Sequence, residues 1–296
     1  MTTTSQTRLG IMMGLAAYTM WGVLPLYIRL LHPLTPLMIL SHRVVWSLTI
    51  LVVLASAMKR WAAVVAAVVT PRVALALLGS TLAIAFNWLL YIHAVNAGHT
   101  VQASLGYFIN PLVNVLLGFV FLRERFGRLE AIAILLAAVG VAALAVDMGA
   151  IPYIPLCLGF SFGIYGLIRK KIGLGPVEGL LIETAILLPL ALGWLLTRPG
   201  LQTGPESPAL WLILMIGLVT TVPMLLFTAA ANRMRYSELG LLQYIAPTLQ
   251  LLIGVMIFGE PFVPIYYLTF GLIWTGLILY VFATWRRGRV APLVPE

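Results

Sequence analysis

The sequence has few charged residues for its length. Only 9% of its 296 residues are charged and 61% are hydrophobic, whereas about 25% are charged in ordinary soluble domains. It has a single cysteine, Cys157, so neither a disulfide framework nor a thiolate metal site is available. Its histidines include no HExxH-type pair, and it has no nucleotide-binding loop. We therefore predict no metal and no other cofactor.

Long apolar runs take the place of the missing charges. An apolar run of about 18 or more residues is read as a membrane-spanning helix, because about 20 residues cross the hydrocarbon layer. None of the runs alternates polar and apolar residues as the strands of a membrane barrel do. We predict an all-α polytopic membrane protein with ten transmembrane helices, at residues 10–30, 35–57, 73–93, 101–122, 128–147, 149–168, 178–197, 209–231, 239–258 and 263–284.

One stretch of the chain recurs 136 positions later. YFINPLVNVLLGFVFLRERF, residues 107–126, is repeated as QYIAPTLQLLIGVMIFGEPF, residues 243–262. An internal repeat of this length indicates a duplicated half-domain, so we divide the chain into five-helix repeats at 1–148 and 149–296. Because five is odd, equivalent helices must cross the membrane in opposite directions. The identical pairs are Pro111 with Pro247, Gly118 with Gly254, Glu124 with Glu260 and Phe126 with Phe262.

The positive charges are confined to alternate loops. Fifteen of the 18 Lys and Arg residues lie in one set of segments, whereas Arg29 and Arg198 are the only two in the other set. Cytoplasmic loops are enriched in Lys and Arg, so both termini are predicted to be cytoplasmic. The net charge of +9 therefore reflects membrane orientation. We predict no nucleic-acid partner, since no basic groove with interleaved aromatic residues is present.

An inverted repeat is typical of secondary transporters, which bind substrate near the midplane between the two halves. We therefore predict a transporter that works by alternating access. A facilitator or channel of the same architecture remains open, because some channels share this symmetry. An enzyme is disfavoured: GFSFG, residues 159–163, matches the hydrolase nucleophile elbow in letters but lies inside an apolar run instead of at a strand-to-helix turn.

Two charged residues lie well inside the predicted spans, away from the span ends. Arg43 is seven residues beyond Pro36 and Glu183 is seven beyond Pro176, so the two halves carry opposite charges at matching depths. They are either a structural ion pair or two separately solvated charges, or else Arg43 is a counter-charge for substrate and Glu183 a carboxylate whose protonation is coupled to transport. His42 is the second candidate coupling residue, since histidine titrates near neutrality.

Prolines interrupt runs 4 and 9 at equivalent positions, Pro111 and Pro247, which is the best sequence indicator of a transporter's binding site. Asn114 and Gln250 each lie three residues beyond the proline, and these amides should point inward to bind substrate or to join helices. Glu124 and Glu260 end their helices, where capping or loop pairing is expected. The other candidate substrate-binding residues are Tyr18, Trp21, Asn87, Trp88, Tyr91, Asn110, Tyr165, Gln243 and Tyr244.

Packing is the alternative role for the aromatic candidates. Trp21, however, lies about half-way along run 1, which is too deep for an interfacial aromatic belt. Runs 5 and 10 contain almost no polar groups, so we expect them at the periphery in contact with lipid or another copy. Their aligned glycines, Gly140 and Gly276, suit close helix contact.

Four stretches, NWLLYIHAVNAGH, QASLGYFINPLVNVLLG, SFGIYGLIRKK and LLQYIAPTLQ, resemble the RarD-type branch of the EamA-domain transporters, within the drug/metabolite transporter superfamily. Gln102 departs from the glutamate usual in the branch. The resemblance implies ten helices in two inverted halves, with spans 1, 3, 4, 6, 8 and 9 around a central cavity and spans 5 and 10 outside. Its relatives export or exchange amino acids, other metabolites and drugs.

The predicted location is the bacterial inner membrane. The predicted partners are a small-molecule substrate, membrane lipid and a proton as candidate coupling ion, and the expected assembly is a monomer or homodimer.

Overall fold

A computed structural model describes residues 3–123, 127–197, 208–231, 233 and 242–290. The elements in these ranges are all helical. In chain order they are α1 (Thr3–Leu30), α2 (Pro36–Ala57), α3 (Trp61–Val69), α4 (Pro71–Asn96), α5 (Thr100–Leu122), α6 (Arg128–Met148), α7 (Tyr153–Ile172), α8 (Pro176–Leu196), α9 (Leu210–Ala231), α10 (Ile245–Leu252), which a π-helical turn (Ile253–Ile257) continues, and α11 (Pro264–Val290).

The prediction of an all-α polytopic membrane protein is confirmed. Eight helices, namely α1, α2, α4, α5, α6, α8, α9 and α11, are long and apolar enough to cross a membrane. Of the other two predicted spans, α7 ends in three consecutive basic residues, which lower its hydropathy. The ninth run is shorter than predicted, with eight residues in α10 and five in the π-helical turn. The start of that run, residues 239–241, lies outside the described residues.

Helix α3 lies in a segment that we predicted to be a cytoplasmic loop. Its sequence, WAAVVAAVV, is apolar but has only nine residues, too few to cross a membrane. Val64 and Ala67 are buried in one hydrophobic cluster with Leu51 of α2 and Leu180 of α8. The short helix therefore packs across the ends of helices from both repeats.

Contacts between α6 and α11 reveal the direction of the repeat. A Cβ at Gly140 would lie 3.2 Å from the carbonyl oxygen of Thr269, and one at Gly276 would lie 2.8 Å from that of Ala133. These contacts are equivalent, since each residue of one pair is 136 positions from a residue of the other. The later part of α6 therefore meets the earlier part of α11, and vice versa. The two helices are antiparallel and related by a two-fold axis.

Other equivalent helices follow the same rule. Glu260, just beyond α10, bonds to the start of α5, and Arg60, just beyond α2, pairs with Glu178 near the start of α8. Both pairs of helices are antiparallel, so the structure agrees with a repeat inverted in the membrane. The predicted close contact at Gly140 and Gly276 is also confirmed, but it is made between α6 and α11 of the same chain.

Adding a methyl group at Gly276 is expected to destabilise the protein. Gly276→Ala would force α6 and α11 apart, and overpacking of this kind costs about 1–3 kcal/mol. Gly271, on the same helix, is the matched control, because a Cβ there would have no neighbouring atom within 4 Å. We expect thermal unfolding in detergent to show a lower melting temperature for Gly276→Ala and no loss for Gly271→Ala. Equal effects at both positions would contradict the close packing.

Candidate functional site

Glu183 lies at the meeting point of α4, α7 and α8. Its carboxylate is fully buried, with 0% exposed. Oε1 accepts a hydrogen bond of 2.6 Å from the Ser80 hydroxyl, and Oε2 accepts one of 3.4 Å from the Tyr165 hydroxyl. Arg169 Nε lies 3.9 Å from Oε1. The carboxylate thus joins one helix of the first repeat to two helices of the second.

Arg169 is positioned by the turn between α7 and α8. Its Nη2 donates to the carbonyl oxygens of Gly175 at 3.0 Å and Leu174 at 3.4 Å. A side chain at Gly179, on the first turns of α8, would overlap the guanidinium. A glycine is therefore required at this position to let Arg169 reach Glu183 from the end of its own helix.

Arg43 lies on α2 and has no carboxylate within ion-pair distance in the described ranges. Its guanidinium carbon lies 3.8 Å from the centre of the Trp88 ring on α4. Its Nε is buried without a hydrogen-bond partner. Tyr91, Tyr107 and Tyr165 lie near enough to interact electrostatically with it. The interpretation of Arg43 and Glu183 as an ion pair is therefore wrong, since Glu183 pairs with Arg169 instead.

Asn87 connects α4 to α5 and α7. Its Nδ2 donates to the Leu158 carbonyl at 3.0 Å and to the Ser161 hydroxyl at 2.9 Å, while Oδ1 accepts from the Tyr107 hydroxyl at 3.3 Å. The ring of Tyr107 also contacts that of Tyr91, with centroids 5.6 Å apart. We call the following set the central cluster: Arg43, Ser80, Asn87, Trp88, Tyr91, Tyr107, Ser161, Tyr165, Arg169 and Glu183.

The central cluster contains six of the predicted site residues and four that the sequence analysis did not select. Ser80 and Ser161 are single hydroxyls in apolar runs, which gave no signal of their own. Arg169 was counted among the basic loop residues, because it follows the predicted end of the sixth span at residue 168. Tyr107 begins the repeated stretch, and its amphipathic side chain three residues before Asn110 was the one available signal.

Gln250 has a structural role on α10. Its Nε2 donates at 3.1 Å to the backbone carbonyl of Trp21, which is four residues before Pro25. A proline inside a helix cannot donate to the carbonyl four residues earlier, so Gln250 replaces the missing donor. Its own Oε1 is buried without a partner in the described part of the chain.

Asn114 differs from its counterpart Gln250. It is exposed, and its Oδ1 lies 3.2 Å from where a Cβ of Gly163 would be. The residue equivalent to Pro25 in the second repeat is Gly166, which keeps its N–H, so no carbonyl of α7 is left for Asn114. The expectation that an amide joins helices is therefore confirmed for Gln250, whereas an inward-facing role for Asn114 stays a prediction.

The remaining predicted residues lie apart from the central cluster. Tyr18 and Trp21 pack with Phe227 of α9, with ring centroids 5.5–6.0 Å apart. Tyr244 stacks on Phe108 at 6.4 Å. The other three are the half-buried Gln243, the buried Asn110, whose Oδ1 has no partner within the described ranges, and the buried His42, whose Nε2 likewise has none there.

Glu260 caps a helix of the other repeat. Its two carboxylate oxygens accept hydrogen bonds from the backbone N–H groups of Thr100 at 2.7 Å and Val101 at 2.8 Å. The prediction that this glutamate caps or pairs at a helix end is confirmed. Its counterpart Glu124 lies outside the described residues.

Part of the central cluster is closely packed. Asn87, Tyr91 and Glu183 are each at most 3% exposed, whereas Arg43, Trp88, Tyr107 and Arg169 are half-buried. Around the three buried residues, the predicted polar chamber is filled by its own side chains in this conformation. A groove of about 480 Å³ lies elsewhere, between the ends of α2, α4 and α8, and its lining includes Thr35, Phe86, His93 and Trp194. No predicted site residue lines it.

The model of the EamA-like transporter family matches residues 8–146 and again residues 150–282. The chain belongs to the EamA-like transporter family. Protein RarD of Escherichia coli is 45% identical over 93% of this chain and 95% of its own length. An uncharacterized transporter of Vibrio cholerae is 43% identical over 95% of both chains. The RarD-type resemblance is therefore confirmed, and the protein is a RarD-type EamA membrane transporter.

Two further comparisons concern a more distant relative and the fold. The chloramphenicol-sensitive protein RarD of Pseudomonas aeruginosa is 34% identical over 91% of this EamA transporter and 92% of its own length. A solved crystal structure that is 16% identical matches with a TM-score of 0.60 over 93% of this chain and 96% of that chain. At that identity the match supports the fold alone.

Proposed function

We propose that this EamA protein is a secondary transporter that moves a small organic metabolite or drug across the bacterial inner membrane by alternating access. The observation that carries the proposal is the antiparallel packing of equivalent helices around a buried, charged cluster. Two inverted halves, residues 1–148 and 149–296, have two related packings available to them. Exchange between these packings exposes the cluster first to one face of the membrane and then to the other.

Arg43 and Glu183 of the central cluster lie toward opposite faces. Arg43 and Glu183 are each seven residues, about 10 Å at 1.5 Å per residue, from the start of their helices. Because α2 and α8 are antiparallel, those starts lie at opposite ends of the bundle. With both termini in the cytoplasm, as the basic loops indicate, Glu183 is nearer the cytoplasm and Arg43 nearer the outer face.

Accumulation in liposomes tests the transport proposal. Purified protein is reconstituted and assayed with radiolabelled chloramphenicol, with a panel of L-amino acids, as the relative's name and the family resemblance suggest, and with benzoate as a monocarboxylate. We expect at least one compound to accumulate against its gradient when a proton gradient is imposed. Equilibration without accumulation would favour the alternative, an uncoupled facilitator of the same architecture. Failure of all compounds to exceed protein-free liposomes would argue against this substrate range.

Glu183 is the proposed coupling residue, with His42 the second titratable group beside Arg43. We expect Glu183→Gln to transport at a rate that no longer depends on the pH gradient, because the amide cannot take up or release the proton. Glu178→Gln is the matched control, since Glu178 lies on the same helix and pairs with the half-exposed Arg60 outside the cluster. Unchanged gradient dependence in Glu183→Gln would remove Glu183 from the coupling scheme.

A further inference from the structure

Arg43 is distinguished from the other interior cation by its lack of a carboxylate. Arg169 has Glu183 at 3.9 Å, whereas Arg43 has no acidic partner in the ranges that the structure describes. A cation inside a membrane protein normally faces the bundle interior and pairs with an anion or with carbonyl groups. The Trp88 ring and the neighbouring tyrosines compensate the charge in part, but none of them is an anion.

Two hydrogen-bond donors, one of Arg43 itself and one of a neighbouring tyrosine, are also without an acceptor. The Nε of Arg43 and the hydroxyl of Tyr91 are both buried, and neither has a partner among the described residues. Buried donors are nearly always bonded. A group with two acceptor oxygens would satisfy both, and a carboxylate is the group that a guanidinium binds in a two-pronged geometry. These two unpaired donors thus have the chemistry of a carboxylate site.

Glu183, the carboxylate of the cluster, limits the substrate to one negative charge. Glu183 already has Arg169, Ser80 and Tyr165 as partners. Tyr165 interacts with both Glu183 and Arg43, so a second acidic group that extends from Arg43 toward Tyr165 would approach the Glu183 carboxylate. A substrate ammonium group, in turn, would have to displace Arg169. The site therefore favours a monoanion over a dianion or a zwitterion.

Aromatic rings continue from Arg43 into the bundle. Trp88 lies under the guanidinium, Tyr91 contacts Tyr107, and Tyr107 contacts Phe162 with centroids 6.3 Å apart. Flat apolar groups pack well against such rings. We propose that the substrate is a compact monocarboxylate with a planar apolar body, whose carboxylate binds Arg43 and Tyr91. This inference rests on the proposed function, because it names the substrate class of the same site.

Matched pairs of acids and amides test the inference without measuring transport. The thermal stability of the purified protein is recorded with benzoate against benzamide and with phenylacetate against phenylacetamide, since a bound ligand stabilises the folded state. We expect a carboxylate to raise the melting temperature while its amide does not. Arg43→Gln should weaken the apparent affinity by at least about tenfold. Arg60→Gln, which removes a cation outside the cluster, should retain the wild-type response.

Three results would overturn the inference: equal stabilisation by acids and amides, a carboxylate effect that survives in Arg43→Gln, or no stabilisation by any carboxylate. Since Arg43→Gln also changes the fold's own electrostatics, Arg43→Lys is a second variant that keeps the charge and loses the two-pronged geometry, and partial retention of acid binding is expected for it. Accumulation of chloramphenicol or an amino acid in liposomes would leave the proposed function standing even if the acids fail.

Discussion

Replacing Glu260 with alanine is expected to cause a large loss of stability. The substitution leaves the backbone N–H groups of Thr100 and Val101 without acceptors, and both residues are at most 2% exposed. An unsatisfied buried donor costs about 1–3 kcal/mol, so the two together should cost about 3 kcal/mol or more. Thermal unfolding in detergent and in lipid nanodiscs would measure the shift in melting temperature.

The physical reason is that α5 begins inside the bundle. The first N–H groups of any helix have no partner within it, and a negative charge near a helix N-terminus is favourable. Water satisfies these groups in most surface helices. Here Glu260, which follows α10 of the other repeat, provides both acceptor oxygens. The capping interaction therefore also holds the two repeats together at this end of the bundle.

Glu130→Ala is the matched control for this prediction. Glu130 accepts a 2.8 Å hydrogen bond from the N–H of Gly127, so it caps α6 from within its own helix. Loss of such a local cap costs about 1 kcal/mol. A Glu260→Ala protein that is no less stable than Glu130→Ala would contradict the idea that a cap between repeats is the more important one.

Gln250→Leu is expected to destabilise the protein through the carbonyl of Trp21. With no N–H at Pro25 and no amide at 250, this part-buried acceptor loses its donor, which costs about 1 kcal/mol. Pro25→Ala restores a helical donor for the same carbonyl. The loss caused by Gln250→Leu should therefore be smaller in a Pro25→Ala background.

A double-mutant cycle measures this coupling. The free energies of unfolding of the wild type, both single variants and the double variant should give a coupling energy of about 1 kcal/mol or more, as expected for residues that share one hydrogen bond. Asn114→Leu is the control. The second repeat has Gly166 at the position equivalent to Pro25, so no carbonyl of α7 lacks a backbone donor that Asn114 would have to replace. Additive effects of Pro25→Ala and Gln250→Leu would show that the 3.1 Å contact contributes little.

The sequence predicted the architecture well because each of its signals is periodic or repeated. Apolar runs located the spans, and the equivalence of Pro111 with Pro247 located the two halves. The ends of elements were harder to predict. α7 ends at Ile172, because Gly173 after it has a φ of 66°, a left-handed conformation that glycine adopts readily. Hydropathy alone ended the predicted run at residue 168.

The site was predictable only in part, because ion-pair partners depend on packing between helices. Because Arg43 and Glu183 lie at equal depths in the two halves, Arg43 was a candidate ion-pair partner for Glu183. In an inverted repeat, however, residues at equal depths lie toward opposite ends of the bundle. Arg169 is the partner because α7 delivers it to the same end as Glu183. In the same way, Gln250 and Asn114 were predicted to have equal roles, whereas one proline, Pro25, makes their roles different.

Distances between spin labels at equivalent places in the two repeats test the central claim most directly. In a Cys157→Ser background, one label pair is placed at Ala97, just beyond α4, and at Ile257, the end of the π-helical turn that continues α10. The second pair is placed at Arg233 and Phe121, which are 136 positions from the first two residues and lie at the opposite face. Distances are measured by pulsed electron–electron double resonance in acidic and in alkaline buffer, and the same measurements are made on Glu183→Gln for comparison.

Alternating access of two inverted halves predicts two distances for each pair, with one pair lengthening under the condition in which the other shortens. Glu183→Gln should still show both distances for each pair, in a proportion that does not change with pH. If both pairs lengthen together, or if neither changes under any of these conditions, the inverted halves do not exchange their packings and the account is wrong.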